Sequence, residues 1–278
     1  MTAITQNKNP QKANAPSHTR EEDFDILSRA VREAGALASS YFKASPKAFK
    51  KPDGSQVSEA DLAVDAALKL DLTTRRKEYG WLSEESPDDR SRLKHARVWM
   101  VDPIDGTGAF LREIPEWTVS AALVEDGVPV IGVVFNPEAD EFFHAIRGGG
   151  AFLNGEPIHT TDRSSLDGAK MIASGGLFRK KIWEDPWPNV TAQWVNSVAY
   201  RLALVASGRG DATISLTPKA EWDLAGAAVI VEEAGGLITD HGGTPHVYNR
   251  ENPKLPSLVA SGPALHPALI ERTRRVDL

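Results

Sequence analysis

The sequence contains no cysteine, although the chain is 278 residues long. This absence excludes disulfide bonds, thiolate metal sites and cysteine nucleophiles, and it fits a reducing compartment. No apolar segment approaches the length that spans a membrane, and the N-terminal region has no apolar core of the kind found in secretory signals. We therefore expect a cytoplasmic protein that has no membrane partner.

Several catalytic motifs are also missing. The seven histidines show no His-Glu-x-x-His spacing, and no Gly-x-Ser-x-Gly segment is present, so zinc hydrolases and serine hydrolases of these types are not supported. No Walker sequence or Gly-x-Gly-x-x-Gly turn follows a strand, and Gly148-Gly149-Gly150 is interpreted as a hairpin turn. The formal net charge of −6 argues against a nucleic-acid partner, because such proteins favour a basic surface. It does not exclude a small anionic ligand, since a bound metal ion reverses the local sign of charge.

The first half of the chain predicts helices followed by antiparallel strands. Residues 1–20 are polar and are expected to form a disordered tail, although Thr19-x-x-Glu22 is a capping box for a helix that runs to about Phe42. A loop or hairpin is expected over residues 46–57, and a second helix from Ser58 to about Tyr79. The expected strands are 80–83, 97–101, 117–124, 128–135, 141–146 and 151–153. Residues 21–160 therefore predict an α+β half with an antiparallel sheet.

The second half alternates between strand and helix patterns, which is typical of an α/β arrangement. The expected strands are 170–173, 211–216, 237–239 and 257–260, and the expected helices are 198–206, 222–234 and 263–274. Residues 161–278 are therefore predicted to form a second unit, with a boundary near residues 155–165.

The most informative segment runs from Trp99 to Thr107, where three apolar residues lead into Asp102-Pro103-Ile104-Asp105-Gly106-Thr107. It predicts a buried strand that ends in two carboxylates, then a turn into a helix whose backbone N–H groups are free for an anion. Carboxylates beside an anion repel it unless a cation lies between them, so the segment predicts a hard metal ion carrying a phosphate. The alternative is a simple turn with Asp102 as a cap. That alternative leaves a carboxylate directly after a buried strand, where it must be paired or hydrated.

Three other acidic residues are weaker candidates when they are taken alone. Glu84 and Glu85 follow a strand-like run and can equally form a surface acid pair. Asp223 lies near the start of a helix, where an acidic side chain interacts favourably with the helix dipole.

Asp61 and Thr107 also have simple structural explanations. Asp61 completes a Ser58-x-x-Asp61 capping box. Thr107 can cap the helix that follows the acidic segment, or it can turn its hydroxyl group toward a metal-bound water.

Three segments in this order carry a resemblance: residues 80–86 (Gly-Trp-Leu-Ser-Glu-Glu-Ser), residues 102–107 and residues 221–227 (Glu-Trp-Asp-Leu-Ala-Gly-Ala). Together they resemble the metal-dependent inositol monophosphatase superfamily, which includes bisphosphate nucleotidases of the CysQ type. The resemblance extends from about residue 22 to the C-terminus. It implies a layered αβαβα sandwich of the inositol monophosphatase/fructose-1,6-bisphosphatase type, with the metal site in the first half and a homodimeric assembly.

The resemblance also implies a phosphomonoesterase that uses two or three Mg²⁺ ions and is inhibited by Li⁺. The implied Mg²⁺ ligands are Glu84, Asp102, the backbone carbonyl of Ile104, Asp105 and Asp223. The implied contacts to the phosphate or substrate are Asp105, Gly106, Thr107 and Asp223. Thr107 paired with Asp61 would help to activate the attacking water, and Glu84 would share in catalysis. A set of carboxylate oxygens suits Mg²⁺ rather than zinc.

The departures from the family pattern bear on the substrate. Residue 108 is Gly, where the family more often has Asn or Arg. Leu82-Ser83-Glu84-Glu85 and the stretch from Pro218 to Asp223 look more like the bisphosphate nucleotidases, so we expect 3′-phosphoadenosine 5′-phosphate as substrate. Lys219 and Arg201 can contact a second phosphate, or they can be solvated surface charges.

Alternative substrates are inositol-1-phosphate and other sugar or polyol phosphates. A protein that has kept the fold as a non-catalytic metal-binding scaffold or regulator is a different class of alternative. The intact set of acidic residues argues against lost catalysis.

Overall fold

The computed structural model describes residues 18–52 and 54–278. The tail predicted for residues 1–20 therefore lies, except for its last three residues, outside the described residues. The Thr19–Glu22 capping box is present: Thr19 Oγ1 accepts from the backbone N–H of Glu22, and the Glu22 side chain accepts from the backbone N–H of Thr19. This reciprocal cap fixes the start of the first helix.

Six α-helices are present in the described part of the chain. They are α1 (Arg20–Tyr41), α2 (Glu59–Arg75), α3 (Thr107–Phe110), α4 (Val198–Ala206), α5 (Glu221–Glu233) and α6 (His266–Thr273). The prediction that the second helix reaches Tyr79 is wrong. The backbone leaves the helical region at Arg76, whose Nε donates to Asp23 Oδ1 of α1 at 2.6 Å.

A seven-stranded sheet forms the first half. In spatial and chain order its strands are β3 (Gly80–Ser83), β4 (Arg97–Asp105), β5 (Thr118–Glu125), β6 (Val128–Asn136), β7 (Glu141–Ile146), β8 (Ala151–Leu153) and β9 (Glu156–Pro157). β3 is parallel to β4, and the other pairs are antiparallel. A hairpin of β1 (Ala48–Lys50) and β2 (Gln56–Ser58) precedes α2, where the sequence left open a loop or a hairpin.

A five-stranded sheet forms the second half, with strand order β11-β10-β12-β16-β14. Its strands are β10 (Lys170–Met171), β11 (Thr191–Ala192), β12 (Ala212–Ser215), β14 (Leu237–Thr239) and β16 (Leu258–Ser261). β10 is parallel to β11 and β12, whereas β16 is antiparallel to β12 and β14. Two further short strands, β13 (Lys219–Ala220) and β15 (Lys254–Leu255), pair with each other beside the start of α5.

The elements form the predicted αβαβα layers. α1 and α2 cover one face of the seven-stranded sheet, and α5 packs on its other face. α4 packs against α5 and against β12 and β16, and α6 packs on β16. All nine residues of β4 are buried, as expected for a strand covered on both faces. No helix within the described residues combines the length and the apolar character needed to cross a lipid bilayer.

Two glycines allow α5 to lie close to the seven-stranded sheet. A Cβ atom on Gly132 of β6 would lie 2.0 Å from the carbonyl oxygen of Gly226 in α5. A Cβ atom on Gly226 would lie 2.8 Å from Ser120 Oγ and 2.9 Å from the carbonyl oxygen of Ala121 in β5. Any larger side chain would force the helix and the sheet apart, so this contact sets how near the first turn of α5 lies to the ends of the strands.

Candidate active site

Asp102 and Asp105 lie at the carboxyl end of β4. Asp102 pairs with Ser120 and Asp105 with Thr118 of β5, so β4 accommodates one extra residue between the two pairs. In a regular strand, residues three apart point to opposite faces of the sheet. The bulge removes this alternation and turns both carboxylates toward the same site.

Glu84 follows β3, and its backbone N–H donates to the carbonyl of Val101 at 3.3 Å. Because β3 and β4 are parallel, their carboxyl ends meet at one edge of the sheet. Buried Asp65 of α2 holds this segment from both sides, since its two carboxylate oxygens accept from the hydroxyl groups of Ser83 and Ser86. Glu84 is therefore fixed by the sheet and by α2 together.

Asp223 lies in the first turn of α5, where its Oδ2 accepts from the backbone N–H of Ala220 at 3.0 Å. The close contact between α5 and the sheet brings this turn to the ends of β3 and β4. Carboxylate oxygens of Glu84, Asp102 and Asp223 lie within 4.8 Å of one another. A single hard cation can be held between oxygens at such separations.

Asp105 is tied to the second half of the molecule. Its Oδ2 accepts from Ser197 Oγ at 2.6 Å and from the backbone N–H of Ala199 at 2.6 Å. Ser197 is also the N-cap of α4, where its Oγ accepts from the backbone N–H of Tyr200. These bonds place the N-terminus of α4 directly behind the carboxylate.

Burial dominates the electrostatics of this carboxylate cluster, which we define as Glu84, Asp102, Asp105 and Asp223. Desolvation raises the pKa of each, and their mutual repulsion raises the pKa of Asp102 further. Asp102 Oδ1 is buried and has no hydrogen-bond partner among the described residues. Unpaired buried carboxylate oxygens are costly unless a cation neutralises them. The cluster therefore fits a divalent cation with a preference for oxygen ligands.

Lys51, which the sequence analysis did not select, contacts the cluster from the β1–β2 hairpin. Its Nζ donates to Glu84 Oε1 and to Glu85 Oε1, both at 2.7 Å. Burial is the main cause that raises the pKa of Glu85 to about 7. No local signal separates Lys51 from its neighbour Lys50, because the contact depends on how the hairpin folds over the sheet.

Asp61 combines the two explanations that the sequence left open. Its Oδ2 accepts from the backbone N–H of Ser58 at 2.7 Å, which caps α2. Its Oδ1 accepts from Thr107 Oγ1 at 2.9 Å. Thr107 Oγ1 also lies 3.1 Å from the carbonyl oxygen of Ile104, one of the expected ligands. The capping box and the Asp61–Thr107 pair therefore coexist.

Gly106 makes the turn between β4 and α3. Its φ of 98° lies in the left-handed region, and a Cβ atom there would lie 3.0 Å from the carbonyl oxygen of Glu116. Glycine meets both demands, so the chain can turn directly from the second carboxylate into the N-terminus of α3.

Arg201 and Lys219 lie next to the cluster. Both interact electrostatically with Asp105 and Asp223. Arg201 is only 5% exposed, so its interpretation as a solvated surface charge is wrong. Its guanidinium carbon lies 4.0 Å from the ring centroid of Trp194, and its Nε donates to the carbonyl of Val195 at 2.6 Å. These contacts hold it in the wall of the site.

Comparisons with known proteins match most of this chain. Residues 19–278 match the model of the inositol monophosphatase family. Inositol monophosphatase 3 of Solanum lycopersicum is 33% identical over 239 residues, which cover 81% of this chain and 88% of the relative. Nus factor SuhB of Escherichia coli (strain K12) is 31% identical over 267 residues, which cover 90% and 95%. Among solved structures, the Thermotoga maritima IMPase is 27% identical and covers 92% of this chain and 97% of its own, with a TM-score of 0.79.

Proposed function

Since this chain belongs to the inositol monophosphatase family, we propose that it is a Mg²⁺-dependent phosphomonoesterase that hydrolyses a small phosphorylated metabolite. The observation that carries the proposal is the convergence of Glu84, Asp102 and Asp223, whose oxygens lie within 4.8 Å of one another. Carboxylates this close repel one another, a bound cation relieves that repulsion, and their oxygen donors suit Mg²⁺.

The proposed Mg²⁺ ligands are Glu84, Asp102, Asp105, Asp223 and the backbone carbonyl of Ile104. When bound, two or three Mg²⁺ ions would neutralise the phosphate oxygens, lower the pKa of the attacking water and stabilise the leaving alkoxide. Asp105 offers one oxygen to Ser197 and Ala199, so these bonds fix the orientation in which its other oxygen faces the cluster.

Thr107 and Asp61 are proposed to orient the attacking water. The Thr107 hydroxyl donates a hydrogen bond to Asp61 Oδ1, which leaves its lone pairs free to accept a hydrogen bond from the water. Asp61 is held by its capping bonds to Ser58, so the direction of the Thr107 hydroxyl is fixed before substrate binds. The turn at Gly106 and the backbone N–H groups at the start of α3 are proposed to bind the phosphate. Because water attacks directly, no covalent phosphoenzyme forms.

Two substrates are proposed. The sequence likeness to bisphosphate nucleotidases and the two cations beside Asp223 support 3′-phosphoadenosine 5′-phosphate. The name of the relative from Solanum lycopersicum, an inositol monophosphatase, supports an inositol monophosphate, of which inositol-1-phosphate is the candidate. The family resemblance further supports a homodimer, which light scattering coupled to gel filtration tests.

The direct test is phosphate release after metal removal and return. We expect no release after treatment with chelator, restored release in millimolar Mg²⁺, and a higher melting temperature with Mg²⁺, because the cation relieves repulsion in the folded cluster. Glu251→Gln, which changes an exposed acidic side chain paired with Arg90, is a control that should behave like wild type. No release from either substrate, together with a melting temperature that Mg²⁺ does not change, would favour a non-catalytic protein.

A further inference from the structure

A buried ion network joins the segments that follow Glu84 and precede Asp223, and the chemistry described above does not use it. Arg92 lies in a short 3₁₀ helix (Ser91–Lys94) that precedes β4, and its side chain is fully buried. Glu221, the first residue of α5, is fully buried as well. A buried charge is costly unless its partners are well placed, so the partners of these two residues show what the network holds together.

The guanidinium group of Arg92 joins two segments of the chain. Its Nε and Nη2 donate to Asp88 Oδ1 and Oδ2 at 3.1 and 2.9 Å. Its Nη1 donates to Asn249 Oδ1 at 2.7 Å, and its Nη2 also donates to the carbonyl of Arg250 at 2.9 Å. Each of the three nitrogens therefore has an acceptor, and residues 88–92 are fixed to residues 249–250.

Glu221 extends the network to α5. Its Oε2 accepts from the backbone N–H of Asn249 at 2.7 Å, and its Oε1 accepts from the backbone N–H of Arg250 at 3.1 Å. Its own backbone N–H donates to the carbonyl of Pro253 at 2.9 Å. The first turn of α5 is therefore tied, through residues 249–250, to the segment of Arg92. We call this the Arg92 network, and its members are Asp88, Arg92, Asn249, Arg250 and Glu221.

Each end of the Arg92 network adjoins a proposed metal ligand. Asp88 follows Glu84 by four residues, and Glu221 precedes Asp223 by two. Glu84 comes from the end of β3 and Asp223 from α5, yet their carboxylate oxygens lie within 4.8 Å of each other. Like charges at this separation repel. A rigid connection outside the cluster can hold the two side chains in place against that repulsion.

We propose that the Arg92 network holds Glu84 and Asp223 at a separation that suits a cation. Arg92 and Glu221 are thus positioning residues, and they set the affinity for a metal ion that neither of them contacts. The inference rests on the proposed function, because Glu84 and Asp223 act as a pair only if the site binds Mg²⁺. Loss of the network should weaken Mg²⁺ binding in addition to lowering stability.

A second buried network provides a matched control. Arg97 is 7% exposed and donates to Asp23 Oδ2 and to the hydroxyl oxygen of Tyr79. It is the first residue of β4, and the carboxylates of the cluster lie at the other end of that strand. Its loss should lower stability without affecting the cluster, because distant sites that share no partners act independently.

Calorimetric titration with Mg²⁺ tests the network without requiring catalysis. We expect Arg92→Met, which keeps much of the side-chain volume but no donor, to weaken Mg²⁺ binding about tenfold. Asn249→Gly is a milder variant, because it removes only the Oδ1 acceptor and glycine suits the φ of 57° at this position. It should weaken Mg²⁺ binding about threefold. Arg97→Met should also lower the melting temperature in chelator, but it should leave Mg²⁺ affinity within about twofold of wild type.

The conservative change at the other end of the network gives a second measurement. Glu221→Gln keeps one acceptor oxygen and should lose less Mg²⁺ affinity than Glu221→Ala. Unchanged Mg²⁺ affinity in Arg92→Met, or an equal loss in Arg97→Met, would overturn the inference. If Arg92→Met does not fold, Asn249→Gly decides in its place. Wild-type protein that binds Mg²⁺ but releases no phosphate contradicts the proposed function alone, whereas wild-type protein that binds no Mg²⁺ contradicts both.

Discussion

The two ends of the active-site cleft are built in opposite ways. At the first end, Asp102 and Asp105 are 2% and 7% exposed and lie on a long strand that is paired along most of its length. At the second end, Trp194 and Lys180 lie on connecting segments, and Lys219 lies on a two-residue strand. Asp102, Asp105 and Asp223 thus lie on regular elements of the fold, while Trp194, Lys180 and Lys219 lie where the sequence can vary with less disturbance to the sheets.

The two ends also differ in the sign of their charge. The carboxylate cluster has an excess of negative charge and needs a cation before it can accept a phosphate. At the second end, the basic side chains of Lys180, Arg201 and Lys219 line the cleft. The comparison therefore predicts that changes at the first end affect the rate for every substrate, whereas changes at the second end affect the choice among substrates.

The largest loss of activity is expected when a proposed metal ligand at the first end is changed, as in Asp105→Asn. We expect kcat to fall on the order of 10²-fold or more, because a metal-organising charge is lost. The fold should survive, since the asparagine oxygen can still accept from Ser197 Oγ and the Ala199 N–H. Phosphate release at saturating Mg²⁺, with circular dichroism as the check on folding, measures both effects. Activity within about threefold of wild type would remove Asp105 from the metal site.

A smaller loss is expected when the Asp61–Thr107 pair is separated. Thr107→Ala and Asp61→Asn should each lower kcat by about 10- to 100-fold with little change in KM or Mg²⁺ affinity. The double variant should lose little more than either single variant, as expected of groups that act as a unit. If both residues only cap helices, kcat is spared and each change costs about 1 kcal/mol of stability, additively. A double-mutant cycle on both kcat and melting temperature separates the two outcomes.

Asp65→Ala tests how Glu84 is held at the first end. Asp65 bonds to the residues on either side of the Glu84 segment but is not itself a proposed metal ligand. Loss of its bonds to Ser83 and Ser86 should loosen the segment that carries Glu84. We expect the Mg²⁺ concentration for half-maximal activity to rise about tenfold, as is typical when a partner that orients a metal ligand is removed. Asp71→Asn, on the same helix and paired with Arg75, should leave this concentration unchanged. An unaltered Mg²⁺ requirement in Asp65→Ala would show that Glu84 is positioned without the bonds of Asp65 to Ser83 and Ser86.

The smallest effect concerns the five-stranded sheet. His266 is buried between Thr239 of β14 and Ser261 of β16, and burial lowers its pKa to about 4. The unfolded chain takes up a proton near pH 6.5 and the folded chain only near pH 4, so stability from this group is present above pH 6.5 and is lost as the pH falls between these values. We expect a loss of about 1–2 kcal/mol between pH 7 and pH 5. Urea unfolding at both pH values should show a shallower dependence in His266→Gln, and an equally steep one would exclude His266 as the cause.

The parts of the fold with local signals were predictable from the sequence. The Thr19 capping box, the adjacent strands expected at 117–124 and 128–135, and the apolar run into Asp102 each depend on a few neighbouring residues, and the structure has each in place. The prediction that a cation lies between the carboxylates of Asp102 and Asp105 and an anion also came from local sequence. It used only the balance of charge within this segment and needed no knowledge of tertiary contacts.

The remaining features depend on contacts between distant segments. The strands β10 and β11 have only two residues each, too few for a periodic pattern, and they exist because each has a partner. Lys51 reaches Glu84 and Glu85 only because the hairpin lies over the sheet. One cavity is lined by both Trp194 and Lys219, which are separated by 25 positions in the sequence and come together only in the folded chain.

The contact between Gly132 and Gly226 has a consequence for protein design. Neither residue carries a functional group, yet together they set the gap between the first turn of α5 and the ends of the strands. A designer who transplants the four carboxylates to another helix-on-sheet scaffold must reproduce this gap as well as the ligands, because an ordinary alanine or valine contact would hold Asp223 too far from its partners. A search for polar residues alone would copy the ligands and lose the coordination geometry.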